Sequence, residues 1–142
     1  MIETLGAETI DGCVALYVDT FNAEPWNESW TLDDAGQRLG DFMATPRSHG
    51  LCRLDGDGQV LGFVLGHLER SGRDDHFLVQ ELCVRATARR QGIATELMSS
   101  LGGLVPGVSG WYLLTARESP ASAFYERLGF RPAPVLGVFV RP

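Results

Sequence analysis

No apolar run in this 142-residue chain approaches the roughly 20 residues that a membrane-spanning helix needs. The first residues, Met1 to Gly6, carry neither a basic stretch nor an apolar signal core, so a cytoplasmic chain with no membrane partner is expected. Cysteine is scarce: Cys13, Cys52 and Cys83 lie far apart, each among apolar neighbours and without C-x-x-C spacing. That pattern argues against a disulfide framework and a metal site, and for reduced, buried thiols. Basic charge is also short. Twelve Lys and Arg face 18 Asp and Glu, for a net charge of −6 and a pI near 4.9. Nucleic-acid binding wants the opposite balance, whereas a negative field suits a cationic small molecule. Neither G-x-x-x-x-G-K-[ST] nor G-x-G-x-x-G occurs, so neither standard nucleotide loop is present. Repeats, low-complexity tracts and long linkers are absent too. With 44% hydrophobic and 21% charged residues, one domain over 1–142 is expected. Homodimerisation is compatible with the composition.

What is present begins with a basic turn. The apolar run Phe77 to Val84 leads into Arg85, Arg89, Arg90, Gln91, Gly92, Ile93 and Ala94, and an amphipathic segment follows from Thr95 to Leu101. A strand feeding a glycine-bearing turn that opens a helix aims backbone N–H groups at one point, beside the positive end of the helix dipole. That point suits a pyrophosphate. Gly92 and Ala94 let phosphate oxygens approach, and Arg89 and Arg90 add charge at the rim. A second segment runs from Glu118 to Phe130. Ser119 is placed to cap a helix, Pro120 fits its first position, and Gly129 suits the left-handed residue that ends it. Ala121, Phe124, Tyr125 and Leu128 fall on one side.

Together the segments resemble the GNAT superfamily of GCN5-related N-acetyltransferases. Its phosphate turn, Q/R-x-x-G-x-G/A, is matched by Arg89, Gly92 and Ala94. Its later helix, N-x-x-A-x-x-(L/F)-Y-x-x-x-G-F, is matched by Ala121, Phe124, Tyr125, Gly129 and Phe130, with Glu118 where asparagine is common. The resemblance covers about residues 55 to 131. It implies an α/β (α+β) fold: one mixed, mostly antiparallel sheet with splayed middle strands flanked by helices. It implies acetyl-CoA as cofactor, lying between the strands Phe77–Val84 and Gly110–Thr115. The pantetheine arm would run along Leu82, Cys83 and Val84. The pyrophosphate would sit on Arg89, Arg90, Gln91, Gly92, Ile93, Ala94 and Thr95, with Ser119, Ala121 and Phe124 beside the cofactor.

Periodicity supplies the layout. Met1 to Leu5 reads as a strand and Glu8 to Phe21 as a helix. A helix opened by Thr31 and Asp34 runs to about Ala44. His49–Leu54 and Gln59–Glu69 read as strands joined by a hairpin at Asp55 to Gly58. Ser71 to Asp75 is a polar turn, Phe77–Val84 a strand, Gln91–Leu104 a helix and Trp111–Thr115 a strand. After the Pro120 helix, Phe130–Val140 is expected to close the sheet, broken by Pro132 and Pro134.

The chemistry implied is attack of an amine on a thioester. Glu81 is the candidate base, because alternation puts it with Cys83 on one face and Leu82 and Val84 on the other. The alternative is a structural pairing with an arginine such as Arg53. His67 is the second candidate base. The resemblance makes Tyr125 the acid beside the coenzyme sulfur; otherwise it is a core aromatic. Cys83 reads as buried rather than nucleophilic. The loop with Trp26, Glu28 and Trp30 either borders a rather closed acceptor pocket or pins itself to the core. The acceptor expected is a small-molecule amine such as an amino sugar, aminoglycoside or polyamine. A protein N-terminal acetyltransferase and a non-catalytic acyl-CoA sensor are the other readings.

Overall fold

The computed structural model describes residues 1–142. The elements in chain order are β1 (Ile2–Thr4), α1 (Ile10–Phe21), α2 (Leu32–Ala44), β2 (Ser48–Leu54) and β3 (Val60–Ser71). Then come β4 (Asp74–Val84), a 3-10 turn at Ala86–Ala88, α3 (Ile93–Leu104), β5 (Val108–Leu113) and α4 (Pro120–Arg127). The strands form one sheet in sequence order, antiparallel from β1 to β4 and parallel between β4 and β5. The long apolar stretches of β3 and β4 are buried because helices cover both sheet faces. On one side α1 and α2 enclose Leu16, Leu39, Phe63, Leu65 and Cys83. On the other, α3 encloses Val64, Phe77, Val79, Leu97 and Leu101.

Caps set several helix ends as expected. The Thr31 hydroxyl accepts from the Asp34 N–H at 3.0 Å. Ser119 and Ser122 form a reciprocal capping box, with Pro120 inside it and Gly129 at φ +94° just beyond the last turn. The helix after Gln91 begins later, at Ile93, because Gly92 takes a left-handed conformation as its N-cap. The polar turn expected over Ser71 to Asp75 is tighter. β3 pairs with β4 out to Ser71 and Asp74, which leaves only Gly72 and Arg73 between them.

One expectation fails. Residues 130–142 do not close the sheet: no strand forms there, and Val135, Leu136, Phe139 and Val140 are exposed. Pro132 and Pro134 each lack a backbone donor, which prevents a continuous ladder through that stretch. β5 therefore pairs on the β4 side alone.

Two irregularities distinguish the C-terminal half of β4. Pairing with β5 ends at Val79 and Leu113, while β4 runs on to Val84. The edge from Gln80 to Val84 is left without a strand partner. In addition, Leu65 faces Glu81 but Gly66 faces Val79, so Gln80 is an extra residue, a β-bulge. The bulge reverses the alternation. Phe77 and Val79 face α3, whereas Glu81 and Cys83 face α1 and α2.

Gly66 sits beside this bulge. A Cβ there would lie 2.1 Å from the Leu78 carbonyl oxygen and 2.5 Å from the Phe77 ring. Gly66→Ala should therefore destabilise the fold by at least the roughly 1–3 kcal/mol typical of overpacking. Urea denaturation followed by tryptophan fluorescence measures it; an unchanged midpoint would mean that the bulge relaxes freely.

Candidate functional site

The open edge of β4 leads directly into the basic turn. Arg90 adopts φ +64° and Gly92 φ +76°, and α3 starts at the next residue. The Ile93 and Ala94 side chains are buried under the helix. They offer an incoming anion their backbone N–H groups rather than side-chain surface, so the small size of Ala94 serves packing beneath α3. Nothing lies within 4 Å of where a Gly92 Cβ would be, and Gln91, Gly92 and Thr95 are exposed. The space over the helix N-terminus is thus open to a phosphate.

The arginines divide. Arg90 is exposed. Arg89 folds back, donating from Nε to the Val84 carbonyl at 3.3 Å, with its guanidinium 5.9 Å from the Trp26 ring centroid. Arg85 donates to the Val60 carbonyl at 3.0 Å. Arg85 and Arg89, with Thr20 and Glu24, line a hollow of about 240 Å³ beside the turn.

Glu81 lies on the α1/α2 side of the split, where alternation placed it, with Leu82 and Val84 facing α3. Its partner is not Arg53, which pairs with Glu96 at 3.2 Å. Arg38 of α2 takes that place, with Nε 2.8 Å from Glu81 Oε1. The Tyr17 hydroxyl of α1 donates to the same oxygen at 3.3 Å. Burial raises the Glu81 pKa; Arg38 and Tyr17 oppose that without cancelling it. His67 Nδ1 is the enclosed side-chain polar atom with no hydrogen-bond partner. Oε2 of Glu81 also takes no side-chain hydrogen bond yet is not among the enclosed atoms, so it is open to its surroundings.

His67 is opposite Ser48 and Leu78, beyond the bulge, with Nε2 3.9 Å from Glu69. No hydrogen bond or ion pair joins it to Glu81. Cys83 is enclosed, and its Sγ donates to Thr20 Oγ1 at 3.3 Å. Burial pushes its thiol up to about 12, so a thiolate is disfavoured and only its backbone can face a ligand along the edge.

Tyr125 packs edge-on against Phe124 and Phe130, at 5.3 and 5.9 Å between ring centroids. Burial, and then the Glu81 carboxylate, push its phenol up to about 12. It is therefore within electrostatic reach of the candidate base. It also holds its proton more firmly than a free tyrosine, whose pKa is about 10. Glu118, where the family pattern often has asparagine, adopts φ +50°, a conformation that asparagine tolerates better than glutamate.

The tryptophans separate. Trp26 packs on Phe21 at 5.2 Å, away from the larger hollow. Trp30 packs edge-on against Tyr17 at 5.1 Å and donates from Nε1 to Glu28 at 2.8 Å. Trp30 and Glu28 line a hollow of about 680 Å³ with Asp34, Arg38, Asp41 and Phe42. It is open to solvent rather than closed. Sequence reasoning missed Tyr17, Arg38, Asp34, Asp41 and Phe42. The recoverable signal was spacing: Asp34, Arg38 and Phe42 are four apart and share one helix face.

The fold is thus an α/β one, with a mixed sheet that splits beside an exposed helix N-terminus and a buried carboxylate at the split. The chain matches the acetyltransferase (GNAT) domain over residues 46–132, and it belongs to that family. Among solved structures, a "probable acetyltransferase" aligns at TM-score 0.80 and 19% identity, covering 100% of this chain and 97% of that one. A "possible acetyltransferase" of Clostridium difficile 630 aligns at 0.82 and 15%, with the same coverage. A transcriptional regulator of Bacillus halodurans C-125 aligns at 0.74 and 15%, covering 99% and 98%. At these identities the likeness is one of fold. No curated protein sequence matches.

All three cysteines are at most 3% exposed, and burial raises each thiol pKa. At pH 8 the native protein should release almost no colour from Ellman's reagent, whereas the urea-unfolded chain should release three equivalents. A fast full equivalent from the native protein would return Cys83 to consideration as a nucleophile.

Proposed function

We propose that the protein is an acetyl-CoA-dependent N-acetyltransferase that acetylates a primary amine of a small cationic molecule. The observation that carries the reading is the unpaired β4 edge from Gln80 to Val84 running into the exposed N-terminus of α3. An extended pantetheine arm fits such an edge as an added strand, and a pyrophosphate fits the open space over Gly92. Leu82, Cys83 and Val84 would hold the arm through their backbone. Gln91 to Thr95 would hold the phosphates, with Arg90 adding charge, and Ser119, Ala121 and Phe124 would lie beside the cofactor. Bound acetyl-CoA supplies an activated acyl thioester.

The acceptor belongs in the 680 Å³ hollow, where Glu28, Asp34 and Asp41 outnumber the single cation Arg38. That surplus attracts an ammonium, and Trp30 and Phe42 offer aromatic faces. Amino sugars, aminoglycosides and polyamines have this character. An alkyl ammonium with pKa about 10 arrives charged. Glu81 accepts one proton at Oε2, freeing the nitrogen lone pair for the carbonyl carbon. As the C–N bond forms and the C–S bond breaks, nitrogen loses its second proton and the departing sulfur gains one. The Tyr125 O–H is the donor to that sulfur, and the net release is one proton.

Gly92→Glu places bulk and negative charge at the phosphate position and should abolish acetyl-CoA binding in calorimetry. Arg89→Ala should be milder, since Arg89 is turned toward Trp26. Unchanged binding by Gly92→Glu would move the cofactor elsewhere.

Turnover is tested by thiol release from acetyl-CoA with a panel of amino sugars, aminoglycosides, polyamines and short peptides. The peptides belong there because the hollow is open. The chain contains no lysine, so side-chain autoacetylation adds little background. Glu81→Gln and Tyr125→Phe should each lose about 10²- to 10⁴-fold in kcat, with acetyl-CoA affinity retained. Tight acetyl-CoA binding without turnover of any amine would favour the sensor reading.

A further inference from the structure

Arg38 is held from three sides. Its Nε is 2.8 Å from Glu81 Oε1. Its guanidinium carbon lies 4.8 Å from the Phe42 ring centroid and 5.7 Å from that of Trp30. A planar guanidinium can satisfy a carboxylate at its edge and aromatic rings at its faces together, which an ammonium cannot. The side chain is nevertheless 41% exposed, while that of Glu81 is 10% exposed. Arg38 thus spans from the open acceptor hollow to the enclosed carboxylate.

Both protein donors to Glu81, Arg38 Nε and Tyr17 O–H, converge on Oε1. We infer that Arg38 is a positioning residue for the Glu81 base: it clamps Oε1, fixes the carboxylate plane and leaves Oε2 as the atom that takes the acceptor's proton. The inference rests on the reading of Glu81 as base. It adds that a cation from α2, docked on the base, sets the pH range in which the base is ionised.

Electrostatics gives the geometry a consequence. A carboxylate buried among apolar side chains tends to stay protonated, and a protonated Glu81 cannot act as a base. The charged or titratable groups around it are few. Tyr17 approaches from α1, Arg38 from α2, Glu28 from the loop before α2, Cys83 from β4 and Tyr125 from α4; its β3 neighbour Leu65 is apolar. Arg38 is the cation in direct contact. Glu28 works against ionisation, whereas the Tyr17 O–H, donating to Oε1, favours it. Removing Arg38 should therefore raise the pH at which Glu81 ionises. A base must be deprotonated, so the rising limb of kcat/KM should move to higher pH. The deficit should be largest in acid and should close as pH rises.

The test compares the parent with Arg38→Gln and Arg38→Lys by ¹³C NMR of the free protein labelled at glutamate side-chain carboxyls. Glu81→Gln assigns the Glu81 resonance. The Glu81 midpoint should rise by about 1 to 3 pH units in Arg38→Gln, the range that one adjacent opposite charge imposes. Arg38→Lys should fall between, because it keeps the charge but loses the planar stack. With the fastest amine of the panel, the kcat/KM limb should move with the NMR midpoint, roughly tenfold in rate per unit on the acid side. Equal midpoints in all three proteins would overturn the inference, as would a deficit independent of pH, which marks a packing role. Should Arg38→Gln fail to fold by circular dichroism, Arg38→Lys carries the same comparison. If Glu81→Gln keeps the parent's rate and profile, the base assignment itself has failed, and that result is read without any Arg38 variant.

Discussion

The extra residue at Gln80 is the constraint on which the rest of the site depends. Without it, Phe77, Val79, Glu81 and Cys83 would share one face of β4. With it, Phe77 and Val79 pack against α3 while Glu81 and Cys83 turn to α1 and α2. The bulge also coincides with the end of β4–β5 pairing at Val79. One local irregularity therefore separates a paired, structural half of β4 from an unpaired half that carries the candidate chemistry. Gly66 permits this by leaving room for the Phe77 ring.

Turning Glu81 inward creates the second constraint. An ionised carboxylate under two helices is unfavourable unless partners compensate it. Tyr17 and Arg38 do so from different helices, which ties α1 and α2 to the middle of the sheet through one oxygen atom. Arg38 is in turn stacked on Trp30 and Phe42. Trp30 of that loop is thus joined to Glu81 by a cation rather than by apolar packing alone. Arg38 lines the hollow and also contacts the carboxylate, so it is the side chain that links the two.

Much of the frame was legible in the chain. The turn from Arg89 to Ala94 and the capped helix from Ser119 to Gly129 are local features set by backbone preferences a few residues apart. The placement of Glu81 and Cys83 opposite Leu82 and Val84 followed from alternation. The partner of Glu81 was not legible. Arg53 was one example of an arginine that could pair with it, but its guanidinium reaches Glu96 instead. Nor was the division of the two tryptophans, since both lie in one short loop and only packing against Phe21 or Tyr17 sends them apart. The last stretch, from Phe130 to Val140, has the β-branched content of a strand. Its prolines decide otherwise.

By itself the sequence determined the order of strands and helices up to α4, the glycine-bearing turn before α3 and the membership of the GNAT family. These rest on periodicity, caps and glycine conformations that act over one or two turns of chain. Tertiary structure decided the bulge at Gln80, the splay beyond Val79 and the seating of Arg38 on Glu81. Each is a contact between residues far apart in sequence, and its geometry is set by how two layers of helices close on a twisted sheet. Local preference gives no information about that closure, because many partners of equal chemistry were available and distance alone selected among them.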